Sequence, residues 1–258
     1  MLENDQTLAA MAEALARSGD YRVLRRLVPR TSFTPSMGPT KTAFDVETAG
    51  LDQRKDEVVE LGMIKFDYLP DGRIASIRDV FSSFNEPLEP IPPDVIALTG
   101  ITNEMVAGHR IDEAAVSAFA DEAVIVIACN SGFERKFAEG YWPIFQRKAW
   151  GCSATEIEWR KHGFEGSRLG YLLNGAGFFH QAHRAVDDCH ALLENSLVRA
   201  ADDRNIGARR PIGASPQKDD AALGRAVALR SQRRAQAARL SLERSWRWQT
   251  KVMVRRPR

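Results

Sequence analysis

Alternating apolar and polar positions predict β-strands in the front half of the chain. Residues 41–48 alternate in this way, residues 57–66 are expected to form a second strand, and a turn at Asp71-Gly72 leads to a third at about 74–84. The apolar run at 123–128 is too short for a buried helix and predicts a fully buried strand. Hairpins therefore join the first three strands, and a further strand follows later.

Helical spacing of apolar residues predicts most of the remaining elements. Residues 5–28 show it, broken into two helices at 18–20, and a proline-rich linker follows at 29–39. Further helices are expected at 93–100, 112–120, 132–140, 153–160, 168–175 and 185–200. Strands in hairpins followed by alternating helices and strands predict an α/β fold with a mixed sheet flanked by helices.

Three regions follow: an N-terminal helical extension and linker (1–39), a central domain (40–202) and a C-terminal tail (203–258). The 258 residues carry a net charge of +2, yet residues 204–258 hold 15 Lys/Arg against 3 Asp/Glu. The tail is either a nucleic-acid-binding segment or a solvated, disordered one. The chain has no signal peptide pattern and no apolar run of about 18 residues, so we expect a cytoplasmic protein without a membrane segment.

Two groups of acidic residues lie where the predicted sheet elements end. Asp45 and Glu47 are two apart on the strand 41–48, so both side chains leave the same face. Carboxylates on a buried strand are costly unless a cation pairs with them, and a divalent metal meets that need. Glu134 lies in the first turn of the helix that follows strand 123–128, where it is either a helix-start acid or a further ligand.

A histidine and an aspartate mark the start of the last predicted helix. His183 precedes that helix and Asp188 lies one turn inside it, with Asp187 as a competing ligand and His180 as a competing base. Oxygen ligands suit Mg²⁺ or Mn²⁺ better than zinc. Two such ions ~3.5–4 Å apart serve phosphodiester hydrolysis, and a histidine with a reference pKa of ~6.5 can take the proton of the attacking water.

These segments resemble the motifs of the DEDD superfamily of 3′–5′ exonucleases, in the histidine subtype. The superfamily includes the proofreading epsilon subunit of bacterial DNA polymerase III and several RNA-trimming exonucleases. The resemblance covers roughly residues 40–200. It rests on residues 44–51, 128–134 and 183–188, with the histidine and aspartate of the last segment five apart, and on the intermediate segment 98–102.

The resemblance implies a ribonuclease H-like fold with a mixed five-stranded sheet and two bound Mg²⁺ or Mn²⁺ ions. It also implies roles for nine residues. The metal ligands are Asp45, Glu47, Glu134 and Asp188, the general base is His183, and the substrate-binding residues are Thr48, Leu51, Asn130 and Phe133. The implied activity is hydrolysis of terminal phosphodiesters to nucleoside monophosphates. The resemblance to the epsilon-type group favours DNA, single-stranded or frayed at its 3′ end, and leaves a DNA polymerase subunit open as a partner.

Two residues depart from the family pattern. Glu134 stands where the second motif usually carries Asp, and Cys129 stands where it usually carries His. Because an error of ~1 Å in positioning can cost about a hundredfold in rate, we expect lowered or metal-shifted activity. The alternatives are a catalytically weakened domain that binds nucleic acid or a partner, and an exoribonuclease.

Overall fold

The computed structural model describes residues 2–29, 39–68 and 74–202. In chain order the elements are α1 (Leu2–Ser18), β1 (Arg25–Arg26), β2 (Thr40–Thr48), β3 (Val58–Tyr68), β4 (Ile74–Phe84), α2 (Pro93–Thr99), α3 (Asn103–Val106), α4 (Glu113–Asp121), β5 (Ala123–Ala128), α5 (Ser131–Tyr141), the 3-10 helix η1 (Pro143–Arg147), β6 (Ala149–Cys152), α6 (Ser153–Glu156), the 3-10 helix η2 (Trp159–His162), α7 (Leu169–Gly175), β7 (Phe178–Phe179) and α8 (Ala185–Asp202). The predicted turn at Asp71-Gly72, most of the linker and the basic tail lie outside the described residues.

The main sheet has five strands in the order β4-β3-β2-β5-β6. β3 runs antiparallel to both β2 and β4, while β5 is parallel to β2 and β6 is parallel to β5. The predicted mixed five-stranded sheet flanked by helices is therefore confirmed. β2 lies at its centre, where Thr42 pairs with Lys65 on one side and with Val126 on the other.

Alternation along β2 divides its side chains between two apolar layers. Phe44 joins the larger core cluster with residues of α4 and α5, and its ring packs edge-on against Phe145 and Trp150. Ala43 faces the opposite side, where Cys189 and Leu193 of α8 cover the sheet. Because side chains alternate between faces, Asp45 and Glu47 share the face of Ala43 and point to the side that α8 covers.

The predicted helix at 20–28 is wrong. Residues Arg25–Arg26 form β1, which pairs in parallel with β7, and Leu27 is buried in a small core cluster with Leu173 and Ala191. The apolar spacing that predicts a helix here reflects packing against distant residues, and tertiary pairing overrides the local preference. The first helix, by contrast, is confirmed as α1 and ends at Ser18.

The fifth strand of the sheet, β6, was not predicted. Its four residues, Ala149–Cys152, are too few to show alternation. They form a strand because they pair with β5 in parallel. The predicted strands at 41–48, 74–84 and 123–128 and the long helices are confirmed within one or two residues. Over the described ranges, no helix has both the length and the apolar composition that crossing a bilayer requires.

Candidate active site

A cleft of about 790 Å³ opens where the carboxyl ends of β2 and β5 meet the start of α8. Because β2 and β5 are parallel, residues at their ends lie at one edge of the sheet. Polar side chains from four separate segments line this cleft. The lining includes Asp45, Cys129, Asn130, Glu134, Ser167, Arg168, Tyr171, Asn174, His180, His183 and Asp188.

Asp45 and Glu47 lie on β2 beside the cleft and repel the other carboxylates near them. Burial raises the pKa of Asp45 well above its usual value, and the charges of Asp188, Glu47 and Glu134 raise it further. Burial raises the pKa of Glu47 to about 8, and the Asp188 charge adds to the effect. A site that disfavours its own anions to this degree is chemically suited to a cation, which would stabilise their ionised forms.

Glu134 is held at the start of α5 and is almost fully buried, with 5% of its surface exposed. The backbone N–H of Asn130 donates to its Oε1 at 3.1 Å. No donor among the described residues reaches Oε2, which is buried. Burial is the main reason that the pKa of this carboxyl rises to about 7. A buried oxygen without a donor is costly, and a metal ligand role would satisfy it.

Asp188 has both oxygens engaged by residues of the segment that precedes α8. The Nε2 atom of His180 lies 2.5 Å from Oδ1, and the backbone N–H of His183 donates to Oδ2 at 3.1 Å. His183 has a φ of 63°, the left-handed region that non-glycine residues rarely adopt. Sparsely populated backbone angles of this kind are maintained by surrounding contacts and cluster at functional sites. The two hydrogen bonds supply such contacts here.

An ion pair between the partly exposed Arg184 and the buried Glu60 fixes the start of α8 to the sheet. Arg184 donates to Glu60 of β3 through two nitrogens, Nε at 3.2 Å and Nη2 at 2.9 Å, and the N–H of Ala185 donates to the same carboxylate at 3.0 Å. Glu60 thus satisfies one of the N–H groups that a helix start leaves unpaired. Glu60 lies opposite Glu47 in the sheet register. The ion pair therefore holds the segment that carries His183 and Asp188 next to the strand that carries Asp45 and Glu47.

Gly62 lets the start of α8 approach the sheet closely. A Cβ at this position would lie 2.4 Å from the carbonyl carbon of Ala185 and 2.5 Å from the nitrogen of Val186. Gly62 is the register partner of Asp45 on β2. The missing side chain therefore sets how near Asp188 comes to the β2 carboxylates.

Donor atoms of Glu47, His183 and Asp188 converge within 4.8 Å of one another. Asp45 and Glu134 lie nearby: the charges of Asp188 and Glu47 raise the pKa of Asp45, and the charge of Glu134 raises the pKa of Glu47. The structure therefore brings together all five residues that the sequence singled out for chemistry. Such a group can bind divalent cations and, through the imidazole, can accept a proton.

The four residues expected to bind substrate are placed differently. Asn130 lines the cleft, whereas the described lining does not include Thr48, Leu51 or Phe133. The hydroxyl of Thr48 donates to the carbonyl oxygen of Gly50 at 2.5 Å. Leu51 is 83% exposed, and Phe133 packs against the core beside Phe137.

Several residues at the site were not predicted as site residues from the sequence. Arg168 and Tyr171 line the side of the cleft formed by the start of α7. Glu60 of β3 binds Arg184, which directly precedes α8, although the two residues are 124 positions apart. The weak sequence signal for Glu60 is a carboxylate at a buried position of a predicted strand. No local pattern marks Arg168 or Tyr171.

Comparison with known proteins identifies the family to which this domain belongs. Residues 42–195, more than half of the chain, match the family RNase_T, described as exonuclease. The chain belongs to this exonuclease family. The match includes every segment that contributes a carboxylate or histidine to the cleft and excludes α1 and β1. Membership of this exonuclease family implies that divalent metal ions bind at the site. The cluster of Glu47, His183 and Asp188, with its carboxylate oxygens, fits such ions.

Relatives of the RNase_T domain occur in bacterial replication proteins. The chain is 29% identical over 162 residues to the DNA polymerase III subunit epsilon of Treponema pallidum, covering 59% of this chain and 73% of that protein. It is 31% identical over 159 residues to the PolC-type DNA polymerase III of Listeria monocytogenes, covering 59% of this chain. It spans only 11% of that protein's length.

A solved structure shares the fold. The zinc-bound complex of E. coli ExoI with single-stranded DNA matches with a TM-score of 0.51 at 18% identity, covering 64% of this chain and 41% of that one. The ribonuclease H-like architecture is thereby confirmed, together with the exonuclease family that the sequence motifs indicated.

Proposed function

We propose that this protein is a metal-dependent 3′–5′ exonuclease that hydrolyses terminal phosphodiesters of DNA and releases nucleoside monophosphates. The observation that carries the proposal is the convergence of three carboxylates and His183 in one cleft of an exonuclease-family domain, with the carboxylate of Glu47 beside them. We propose residues 40–202 as the catalytic domain, which agrees with the family match at 42–195.

Asp45, Glu47, Glu134 and Asp188 are the proposed ligands of two Mg²⁺ or Mn²⁺ ions. Their oxygen donors suit these hard cations, and the unpartnered Oε2 of Glu134 supports a ligand role for that residue. When bound, such ions stabilise the charge that develops on the attacking and leaving oxygens of a phosphodiester. In their absence, burial and mutual repulsion favour protonated carboxyls, as the raised pKa of Glu47 indicates.

His183 is the proposed general base. Its backbone N–H is bonded to Asp188, which holds the residue at the cleft while the ring stays beside Glu47 and Asp188. An imidazole near neutral pH can accept the proton of an attacking water. His180 is the weaker candidate for this role, because its Nε2 is engaged by Asp188.

The polar and aromatic rim of the cleft supports a nucleic acid substrate. Arg168 offers a cation for phosphate, and the exposed ring of Tyr171 offers a surface on which a base can stack. Asn130, Thr48, Leu51 and Phe133 stay predictions as substrate-binding residues.

DNA is proposed as the substrate because named relatives are subunits of DNA polymerase III. A DNA polymerase subunit is a proposed partner on the same grounds. The cytoplasmic location stays a prediction.

The test is release of mononucleotides from a strand labelled at its 3′ end, compared with one labelled at its 5′ end. We expect early loss of the 3′ label, dependence on Mg²⁺ or Mn²⁺, and loss of activity in Asp45→Ala. A matched RNA strand distinguishes an exoribonuclease. Early release of the 5′ label, or full activity in Asp45→Ala, would refute the proposal.

The second candidate is a nuclease domain that binds without cutting. Glu134 favours it, since this Glu holds the N–H of Asn130 with one oxygen and has only Oε2 available for a cation. Binding of a labelled single strand without release of mononucleotides in either metal would support this candidate.

A further inference from the structure

A short parallel ribbon joins the N-terminal extension to the segment that bears both histidines of the site. Arg25 and Arg26 pair with Phe178 and Phe179. The N–H of Arg25 donates to the carbonyl oxygen of Gly177 at 2.9 Å, and the N–H of Leu27 donates to that of Phe179 at 2.7 Å. The ribbon therefore brings residues outside the family match to the immediate neighbour of His180.

Side chains of the same extension strengthen this attachment. Leu27 is 9% exposed and packs with Leu173 of α7 and Ala191 of α8. The guanidinium of Arg22 donates to the carbonyl oxygen of Asn174, and Arg26 lies 5.8 Å over the ring of Phe179. Residues 22–27, which we name the N-terminal arm, thus connect α7, β7 and α8.

His180 follows β7 directly in the chain, and its side chain lines the cleft. Its Nε2 lies 2.5 Å from Oδ1 of Asp188, and the two side chains are only 6% and 12% exposed. An ionised carboxylate can only accept, so Nε2 carries the hydrogen in this contact. A partner that holds a ligating carboxylate fixes its orientation, and losing such a partner typically costs about 10–100-fold in metal affinity or activity.

We propose that the N-terminal arm is a structural part of the active site and that His180 is a positioning residue for Asp188. The arm holds β7 against α7 and α8, β7 fixes the backbone of His180, and His180 orients the carboxylate. This inference rests on the proposed metal-binding role of Asp188. It extends the functional unit beyond the family match to residues 22–27, and helix α1 is not part of it.

The experiment measures Mn²⁺ affinity by electron paramagnetic resonance and amide exchange at residues 177–183, both in the full chain. Leu27→Ala is compared with Val28→Ala, a neighbouring residue that is 75% exposed. We expect Leu27→Ala to weaken Mn²⁺ binding roughly tenfold, the lower limit for loss of an outer partner, and to speed exchange at 177–183. Val28→Ala should match the wild type in both measurements.

A second pair of variants tests the side chain itself. His180→Ala removes the donor to Asp188, whereas His180→Gln keeps an N–H donor at a similar distance from the backbone. We expect weaker Mn²⁺ binding and a lower kcat at unchanged KM in His180→Ala, with much of both restored in His180→Gln. A purely structural role would not produce this rescue.

Wild-type Mn²⁺ affinity in folded Leu27→Ala or in His180→Ala would overturn the inference. If Leu27→Ala does not fold, Arg22→Ala replaces it, since this change removes the contact with Asn174 and leaves Leu27 in place. Unchanged exchange at 177–183 in Arg22→Ala would then contradict the role of the arm. A wild-type protein that binds Mn²⁺ but releases no mononucleotide would refute the proposed function alone. A wild-type protein without Mn²⁺ affinity would refute both the function and the role of His180.

Discussion

Replacing Gly62 by alanine should move the start of α8 away from the sheet. The added Cβ would meet the backbone of Ala185 at 2.4 Å, about 1 Å closer than an ordinary carbon contact. Since those atoms are backbone, no side-chain rotation relieves the clash. The helix start must therefore shift by roughly 1 Å, and it takes His183 and Asp188 with it.

The expected magnitude follows from that displacement. A misplacement of about 1 Å can cost on the order of a hundredfold in rate, and overpacking in a dense core costs about 1–3 kcal/mol of stability. We therefore expect Gly62→Ala to lose about two orders of magnitude in kcat while its Tm falls by only several degrees.

The assay is kcat and KM on a single strand labelled at its 3′ end, with Tm and Mn²⁺ affinity measured on the same samples. Gly140→Ala is the matched control, because Gly140 is exposed on α5 and a Cβ there would have, among the described residues, no neighbour within 4 Å outside the adjoining helix backbone. It should keep its activity and gain slightly in stability, as alanine favours a helix over glycine by about 0.5–1 kcal/mol. Wild-type kcat and Mn²⁺ affinity in Gly62→Ala would refute the reasoning.

Three further predictions concern charges at the site. The pKa values of Asp45, Glu47 and Glu134 are raised in the folded state. Without metal, these carboxyls therefore lose their protons at lower pH in the unfolded chain than in the folded protein. Stability should then fall as pH rises from about 4.5 to about 8, and Mn²⁺ should reverse the loss at pH 8; a metal-free Tm that rises across this range would contradict it. Arg184→Lys replaces the two-nitrogen contact with Glu60 by a point charge and should lower kcat roughly tenfold at unchanged KM; a higher KM alone would point to substrate binding instead. Glu134→Asp shortens the side chain by about 1.5 Å and should change the ratio of the Mg²⁺ to the Mn²⁺ rate; equal rates for both proteins in both metals would argue against a ligand role.

Local patterns predicted the parts of the fold that local sequence controls. Alternation located β2, the turn at Asp71-Gly72 located β4, and the short apolar run located β5, because each leaves a visible local pattern. β6 and β1 were missed because each exists only through pairing with a strand elsewhere in the chain. Leu27 shows the same limit, since its apolar side chain fits a helical spacing but packs on α7 and α8.

The site shows a similar division. The proximity of Asp45, Glu47, His183 and Asp188 could be predicted because each segment holds its residues at a fixed spacing; their roles stay predictions. Glu60 could not, because it acts through Arg184, and the pair joins positions 124 residues apart. The sequence indicates His180 only as a competing base, because its contact with Asp188 depends on where β7 is held.

The direction of α8 determines where the chain enters and leaves the domain. The helix begins beside Gly62, at the carboxylate end of β2, and by Leu192 it packs with Ala43 and Phe66 near the opposite end. Residue 40 and the later part of α8 therefore lie at the same end of the sheet, remote from the cleft. The two ends of the family match, at residues 42 and 195, thus lie away from the candidate active site, and a domain with this arrangement can be carried as an insertion in a longer polypeptide. The match to a region about one tenth the length of PolC-type proteins is consistent with such an arrangement.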